Sequence, residues 1–121
     1  MALSLKKPAE LVDVIESTAL TLQDRRIYNL LINNAFTAIT EDKEHSIRKS
    51  DLAEVTQYRN DRLGTCIENL MSSIVRLRSV RDSTPVLTRV QLLGATSEDY
   101  DRDGFIYYRF PPELRAVLND N

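Results

Sequence analysis

Residues 49–77, KSDLAEVTQYRNDRLGTCIENLMSSIVRL, hold a short amphipathic segment, a break, and a longer amphipathic segment that runs straight into a β-prone stretch. In the first segment Leu52, Ala53 and Val55 share a side, Lys49 or Ser50 opens it, and Asp51 sits in the first turn, where a carboxylate suits the positive end of a helix dipole. Tyr58-Arg59-Asn60-Asp61 interrupts the pattern. Leu63, Ile67, Leu70, Ile74 and Leu77 then recur at alternating steps of four and three, with Met71 widening the stripe, which predicts a second helix. Two helices joined by so short a turn cross steeply, and that is helix-turn-helix geometry.

The next stretch of chain narrows the choice further. Val75-Arg76-Leu77-Arg78-Ser79-Val80-Arg81 leads to a break at Asp82-Ser83-Thr84-Pro85, and a second β-prone run covers 86–93. A helix-turn-helix with a hairpin after it is a winged helix, so the fold class expected is α+β, with about five helices and a small antiparallel sheet. The chain has 121 residues, 42% of them apolar, which is enough for one domain with its own core and no disulfide or metal staple.

Pro8, Leu11, Val14 and Ile15 predict a short helix over 8–17, although Val12 and Val14 leave a strand possible. Thr21 with Asp24 three residues on reads as a capping box, and Ile27, Tyr28, Leu30, Leu31, Ile32, Ala35, Phe36 and Ile39 cover more than one face of the helix it opens. A polar loop at 41–44 precedes a short strand at 45–48, and His45 is expected to be an exposed loop histidine. Alternation over 86–93 is apolar on both faces, 105–110 reads as a strand, and 112–118 as a last helix.

Several kinds of chemistry find no support. The single histidine has no second histidine or cysteine to make a metal site with it, and Cys66, the only cysteine, falls on the inner side of its helix as a small hydrophobe. No nucleophile has a base and an orienting group beside it, and the three glycines are isolated, so neither an enzyme nor a phosphate-loop protein is expected, and no cofactor. Asp99-Tyr100-Asp101-Arg102-Asp103-Gly104 matches the first half of a calcium loop, but the twelfth position, where a glutamate should close the shell, is Phe110; a solvated hairpin turn is expected instead. No apolar run has membrane-spanning length and the N-terminus does not read as a signal peptide, so a cytoplasmic location without membrane contact is expected.

The net charge of −2 does not itself point to nucleic acid, but its distribution does. Residues 43–81 carry eight Lys or Arg against five acids, a local excess of three over the helix-turn-helix and first wing strand. Arg48, Lys49, Arg59, Arg62, Arg76, Arg78 and Arg81 are therefore the candidate contacts to the DNA backbone. Asp61, Arg62, Thr65, Glu68 and Asn69, the exposed positions near the start of the second helix, mix two acids with one arginine, which suits backbone contact better than base reading. Leu87 and Leu93 on the second face of the 86–93 strand, beside the aromatics of 105–110, suggest a sheet face that meets a second copy; the candidate dimer residues are Leu87, Arg89, Gln91, Leu93 and Tyr107. The alternative is that the last helix folds back over that face.

Residues 7–12 (KPAELV), 20–31 (LTLQDRRIYNLL), the helix-turn-helix, Phe105-Ile106 and 110–114 (FPPEL) resemble, in order and spacing along nearly the whole chain, the first winged-helix domain of bacterial plasmid replication initiators, the Rep proteins of iteron-controlled plasmids. The resemblance implies a parent protein that binds repeated sites in double-stranded origin DNA, starts replication with host replication factors, and represses its own gene as a dimer. Those initiators carry a second winged helix that does most of the base reading; this chain ends at Asn121, so residues 1–121 are expected to be the first domain alone. Two other readings remain: a free-standing winged-helix transcription regulator that reads bases itself, and a winged-helix module for protein contacts without DNA.

Overall fold

Among the described residues, the β-branched and alternating stretches of this chain condense into two three-stranded antiparallel sheets, with helices packed against β2 and β4. A computed structural model describes residues 11–15, 20–57 and 60–118. In chain order these form β1 (Leu11–Ile15), α1 (Leu22–Ala35), a 3-10 turn (Phe36–Ala38), β2 (His45–Arg48), α2 (Lys49–Thr56), α3 (Asn60–Ser72), β3 (Ile74–Arg81), β4 (Thr84–Gln91), β5 (Thr96–Glu98), β6 (Phe105–Tyr108) and α4 (Pro112–Leu118). One sheet has the order β1-β3-β4 and the other β2-β6-β5.

The helix-turn-helix and the wing lie where the sequence predicts them. Gln57 ends α2 in the left-handed region (φ 64°) and its N–H closes on the Ala53 carbonyl, which turns the chain toward α3. Asp82 and Ser83 at the hairpin tip both have positive φ, the two-residue turn whose twist matches its strands, and Arg81 and Thr84 pair across it. The second helix is shorter than its apolar stripe. It stops at Ser72, and Ile74 and Leu77 belong to β3, because Ile-Val-Arg-Leu-Arg-Ser-Val is β-prone and finds partners on both sides.

Three other expectations are corrected. The helix expected over 8–17 is a strand at Leu11–Ile15, paired through Val14 to Val75 and Ile15 to Ile74; residues 8–10, 16 and 17 lie outside the described residues. The edge of β3 gives the β-branched run Val12-Asp13-Val14-Ile15 a partner, and that outweighs the helix-start signal at Pro8. Among the described residues there are accordingly four α-helices rather than about five. The strand from 86 actually spans Thr84–Gln91; Leu92 and Leu93 come after it and enter the core, both fully buried. β4 and β6 lie in different sheets, so the aromatics of β6 are not beside β4.

The core joins Tyr28 and Leu31 of α1 to Leu52, Leu63, Leu70, Val75, Ile106, Tyr108, Phe110 and Leu114. Its two buried hydroxyls are satisfied: Tyr28 donates to the Leu92 carbonyl (3.0 Å), and Tyr108 donates to the Leu31 carbonyl (2.6 Å) while accepting from Asn34 (3.0 Å). Burial pushes the Tyr108 phenol up to about 12.

His45 departs furthest from its expected exposure. It opens β2, where alternation turns it and Ile47 inward; it is 6% exposed, with its ring 5.4 Å from that of Tyr108 and 5.8 Å from that of Phe110. Its Nε2 has no hydrogen-bond partner among the described residues. Burial first, then Lys43 and Arg109, hold its pKa below the ordinary 6.5, against a smaller opposing pull from Glu41. Because the folded pKa lies below the unfolded one, the unfolded chain binds more protons as pH falls, so this contribution is intact above about pH 6.5 and is lost below it. Denaturant titrations from pH 7.5 to 5 are expected to show stability falling in that window, and His45→Leu is expected to flatten the fall. An equal slope in both proteins would contradict the assignment.

Candidate nucleic-acid interface

Helix α3 buries Leu63, Cys66, Ile67 and Leu70 and turns Asp61, Arg62, Thr65, Glu68 and Ser72 outward. The two hydroxyls on that outer side are spent on their own helix, Thr65 on the Asp61 carbonyl (3.1 Å) and Ser72 on the Glu68 carbonyl (2.9 Å). Asn69, expected on the exposed side, is half-buried and donates to the Asp24 carboxylate (3.1 Å). The helix that a winged helix would lay in a major groove therefore presents Asp61 and Glu68 beside Arg62, a poor base reader. Cys66 is buried, and burial together with the Asp24 carboxylate pushes its thiol up to about 12, so it is not a reactive cysteine.

The wing is where cations gather. Along β3 and β4, Ile74, Arg76, Arg78 and Val80 stand opposite Gln91, Arg89, Leu87 and Pro85 on one face, while Val75 and Leu77 with Val90 face the core. On the outer face Arg76 and Arg89 are direct cross-strand neighbours, and Arg78 stands across from Leu87. Like charges so placed repel each other, an arrangement that an anion would relieve. Arg76, Arg78, Pro85, Val86 and Leu87 line an open groove of about 310 Å³ there. The Arg76 Nε is buried without a hydrogen-bond partner among the described residues. Arg81 pairs with Thr84 at the tip and alternates to the other side of the hairpin, beyond the core.

The remaining candidates divide. Arg48 is exposed at the end of β2, its guanidinium 5.0 Å from the centre of the Phe105 ring, and Arg62 is exposed on α3. Arg59 lies outside the described residues. Lys49 is corrected: it is 3% exposed and its ammonium is held by the 98–101 segment, so it does not reach a phosphate. Of the expected dimer residues, Leu87 (43% exposed), Arg89 and Gln91 share the outer wing face. Leu93 is fully buried and Tyr107 belongs to the other sheet, so neither is on that face. Helix α4 reaches β4 but buries Leu114 and Leu118 in the core and leaves Leu87 uncovered. Arg89 falls outside the basic 43–81 segment that nominates the DNA candidates, although its register opposite Arg76 places it with them.

Among the described residues no group of three or more His, Cys, Asp or Glu could hold a metal ion, and no helix is long and apolar enough to cross a membrane. A family model described as initiator replication protein, WH1, matches residues 4–121. No curated protein matches the chain. Among solved structures, the crystal structure of the WH1 domain of MSBI1.176, a replication protein isolated from a multiple sclerosis patient, is similar with a TM-score of 0.65 at 14% identity, covering 84% of this chain and 82% of that one. At that identity the likeness is one of fold.

Proposed function

The chain belongs to the WH1 family of initiator replication proteins, and on that premise we propose that it is the DNA-binding and dimerisation domain of a bacterial plasmid replication initiator, which binds origin repeats to start replication and, as a dimer, represses its own gene. It acts by binding rather than by catalysis, in the cytoplasm, on double-stranded DNA and alongside host replication factors. The observation that carries this reading is the outer wing face, where Arg76, Arg78 and Arg89 converge without a carboxylate from β3 or β4 among them. Contact with phosphates there, supported by Arg48, Arg62 and Arg81, positions the domain on a duplex without reading its sequence. A regulator that reads bases through α3 is disfavoured by Asp61 and Glu68 on that helix.

The same face carries Leu87, Arg89 and Gln91, and the exposed Leu87 side chain gives it an apolar centre on which a second copy of the face can pack. A two-fold dimer built there covers the arginines that would hold phosphates, so this domain meets DNA as a monomer, and the dimer reaches DNA through the second winged helix of the parent initiator. Sedimentation of the unaltered domain over a range of concentrations is expected to show a monomer–dimer equilibrium that Leu87→Asp shifts to monomer and that duplex DNA also shifts to monomer. A monomer at every concentration would end the dimer reading; a dimer that keeps its stoichiometry on DNA would end the shared-face reading.

A further inference from the structure

The turn from Asp99 to Gly104 has the carboxylate spacing of half a calcium loop, yet its oxygens converge on an ion that the chain supplies. Lys49 is buried, and its Nζ lies 2.5 Å from the Asp99 carbonyl, 3.1 Å from the Asp101 carbonyl and 3.2 Å from Glu98 Oε2. Three acceptors match the three N–H donors of an ammonium. The Lys49 backbone N–H also donates to the Gly104 carbonyl (3.0 Å), which fixes the first residue of α2 to the turn.

The turn is braced from within. The Asp99 carboxylate accepts from the Phe105 N–H (2.9 Å) and the Tyr107 hydroxyl (3.2 Å), and Asp101 Oδ1 accepts from the Asp103 N–H (3.0 Å). Gly104 is required here, since a Cβ at that position would stand 2.5 Å from the Asp99 Cβ. With Asp99 and Asp101 so engaged, Glu98 is, among the described residues, the one side-chain carboxylate in contact with the ammonium, and the other two ligands are neutral carbonyls. The three oxygens that touch the ammonium therefore carry one negative charge between them. Calcium takes six to eight oxygens, several of them from carboxylates, whereas one charge and two carbonyls suit a single positive charge. A cation also opposes the dipole at the start of a helix, and the acidic turn offsets that cost for Lys49.

We infer that the 98–104 segment is a monovalent-cation cradle whose resident ion is the Lys49 ammonium, so that the domain fastens the start of its helix-turn-helix with an ion from its own chain. Removing the amine leaves a site for a free monovalent cation. Lys49→Ala, melted at constant ionic strength in tetramethylammonium chloride, is expected to lose about 10 °C in Tm. Ammonium or propylammonium chloride is expected to restore several degrees, Glu98→Gln on the same background is expected to abolish the recovery, and the unaltered domain is expected to respond equally to all these salts. A variant as stable as the parent, one that responds alike to every cation, or one restored by calcium but not by ammonium overturns the proposal. Should Lys49→Ala not fold, the unaltered domain still decides: nitrogen-15 NMR is expected to show the Lys49 ammonium protected from exchange with water, and fast exchange like that of surface lysines overturns the cradle.

Discussion

Replacing Arg76, Arg78 and Arg81 together with alanine is expected to weaken duplex binding by roughly two to three orders of magnitude at about 0.1 M salt. Each phosphate neutralised contributes about 0.9 to the slope of log affinity against log salt, so three lost contacts remove about 2.7, or a factor near 500 between a 1 M reference and 0.1 M. Arg78 and Arg81 are exposed and Arg76 is half-buried on the outer face, so the core that folds the domain is untouched and Tm should change by a few degrees at most. The loss should be alike for duplexes of different sequence, because contacts to the backbone carry no sequence information. Glu68→Ala on α3 is the informative control. It removes a carboxylate from the helix face without touching the wing, and unchanged or tighter binding is expected. A triple variant that binds as well as the parent would show that the wing is not the contact surface, and a loss confined to one DNA sequence would show that the wing reads bases rather than the backbone.

The largest expected effect on stability comes from a side chain far from the wing. Asp24 is 1% exposed, and its carboxylate ties two helices together. It accepts from the Thr21 N–H (2.9 Å) to complete the capping box, while the Asp24 N–H donates to Thr21 Oγ1 (3.0 Å). It also accepts from the Asn69 amide of α3 (3.1 Å). Asp24→Ala removes the carboxylate half of the capping box and the link to α3, leaving the Thr21 N–H and the Asn69 amide without their charged acceptor in a partly buried site at about 1.5 kcal/mol each. The expected total is about 3 kcal/mol, a fall in Tm of about 12 °C for a domain of this size. Thermal melts of Asp24→Ala beside Thr21→Ala separate the two parts, since Thr21→Ala loses only the cap. Equal losses in both variants would mean that the link to α3 contributes nothing.

Elements set by local pattern are legible in the sequence. Thr21 and Asp24 three residues apart mark the start of α1, the apolar stripe through Leu63, Ile67 and Leu70 marks α3, and Asp82-Ser83 between two β-prone runs marks the wing. Features that depend on partners distant in sequence are not. The strand at Leu11–Ile15 exists because β3, some sixty residues later, offers it an edge. His45 reads as a loop residue because nothing nearby announces that Tyr108 and Phe110 will receive its ring. Lys49 reads as a DNA contact because its charge is visible and the acidic turn that captures it is fifty residues away. Alternation in the 86–93 run puts Leu87 and Leu93 on the same side in parity, but a strand that ends at Gln91 carries Leu93 into the core instead. The placement of Arg89 is within reach of the sequence: a two-residue turn at 82–83 fixes the register, and the register sets Arg89 opposite Arg76.

Whether the domain meets DNA through phosphates held by its wing is tested most directly by equilibrium titration of the unaltered domain with a short duplex, repeated at several salt concentrations. If about four arginines neutralise phosphates, log affinity is expected to fall with log salt at a slope of roughly −3 to −4, with the same slope on unrelated sequences. A slope near zero would contradict phosphate contact by the wing, and no binding even at the lowest salt would leave a winged helix that serves protein contacts alone.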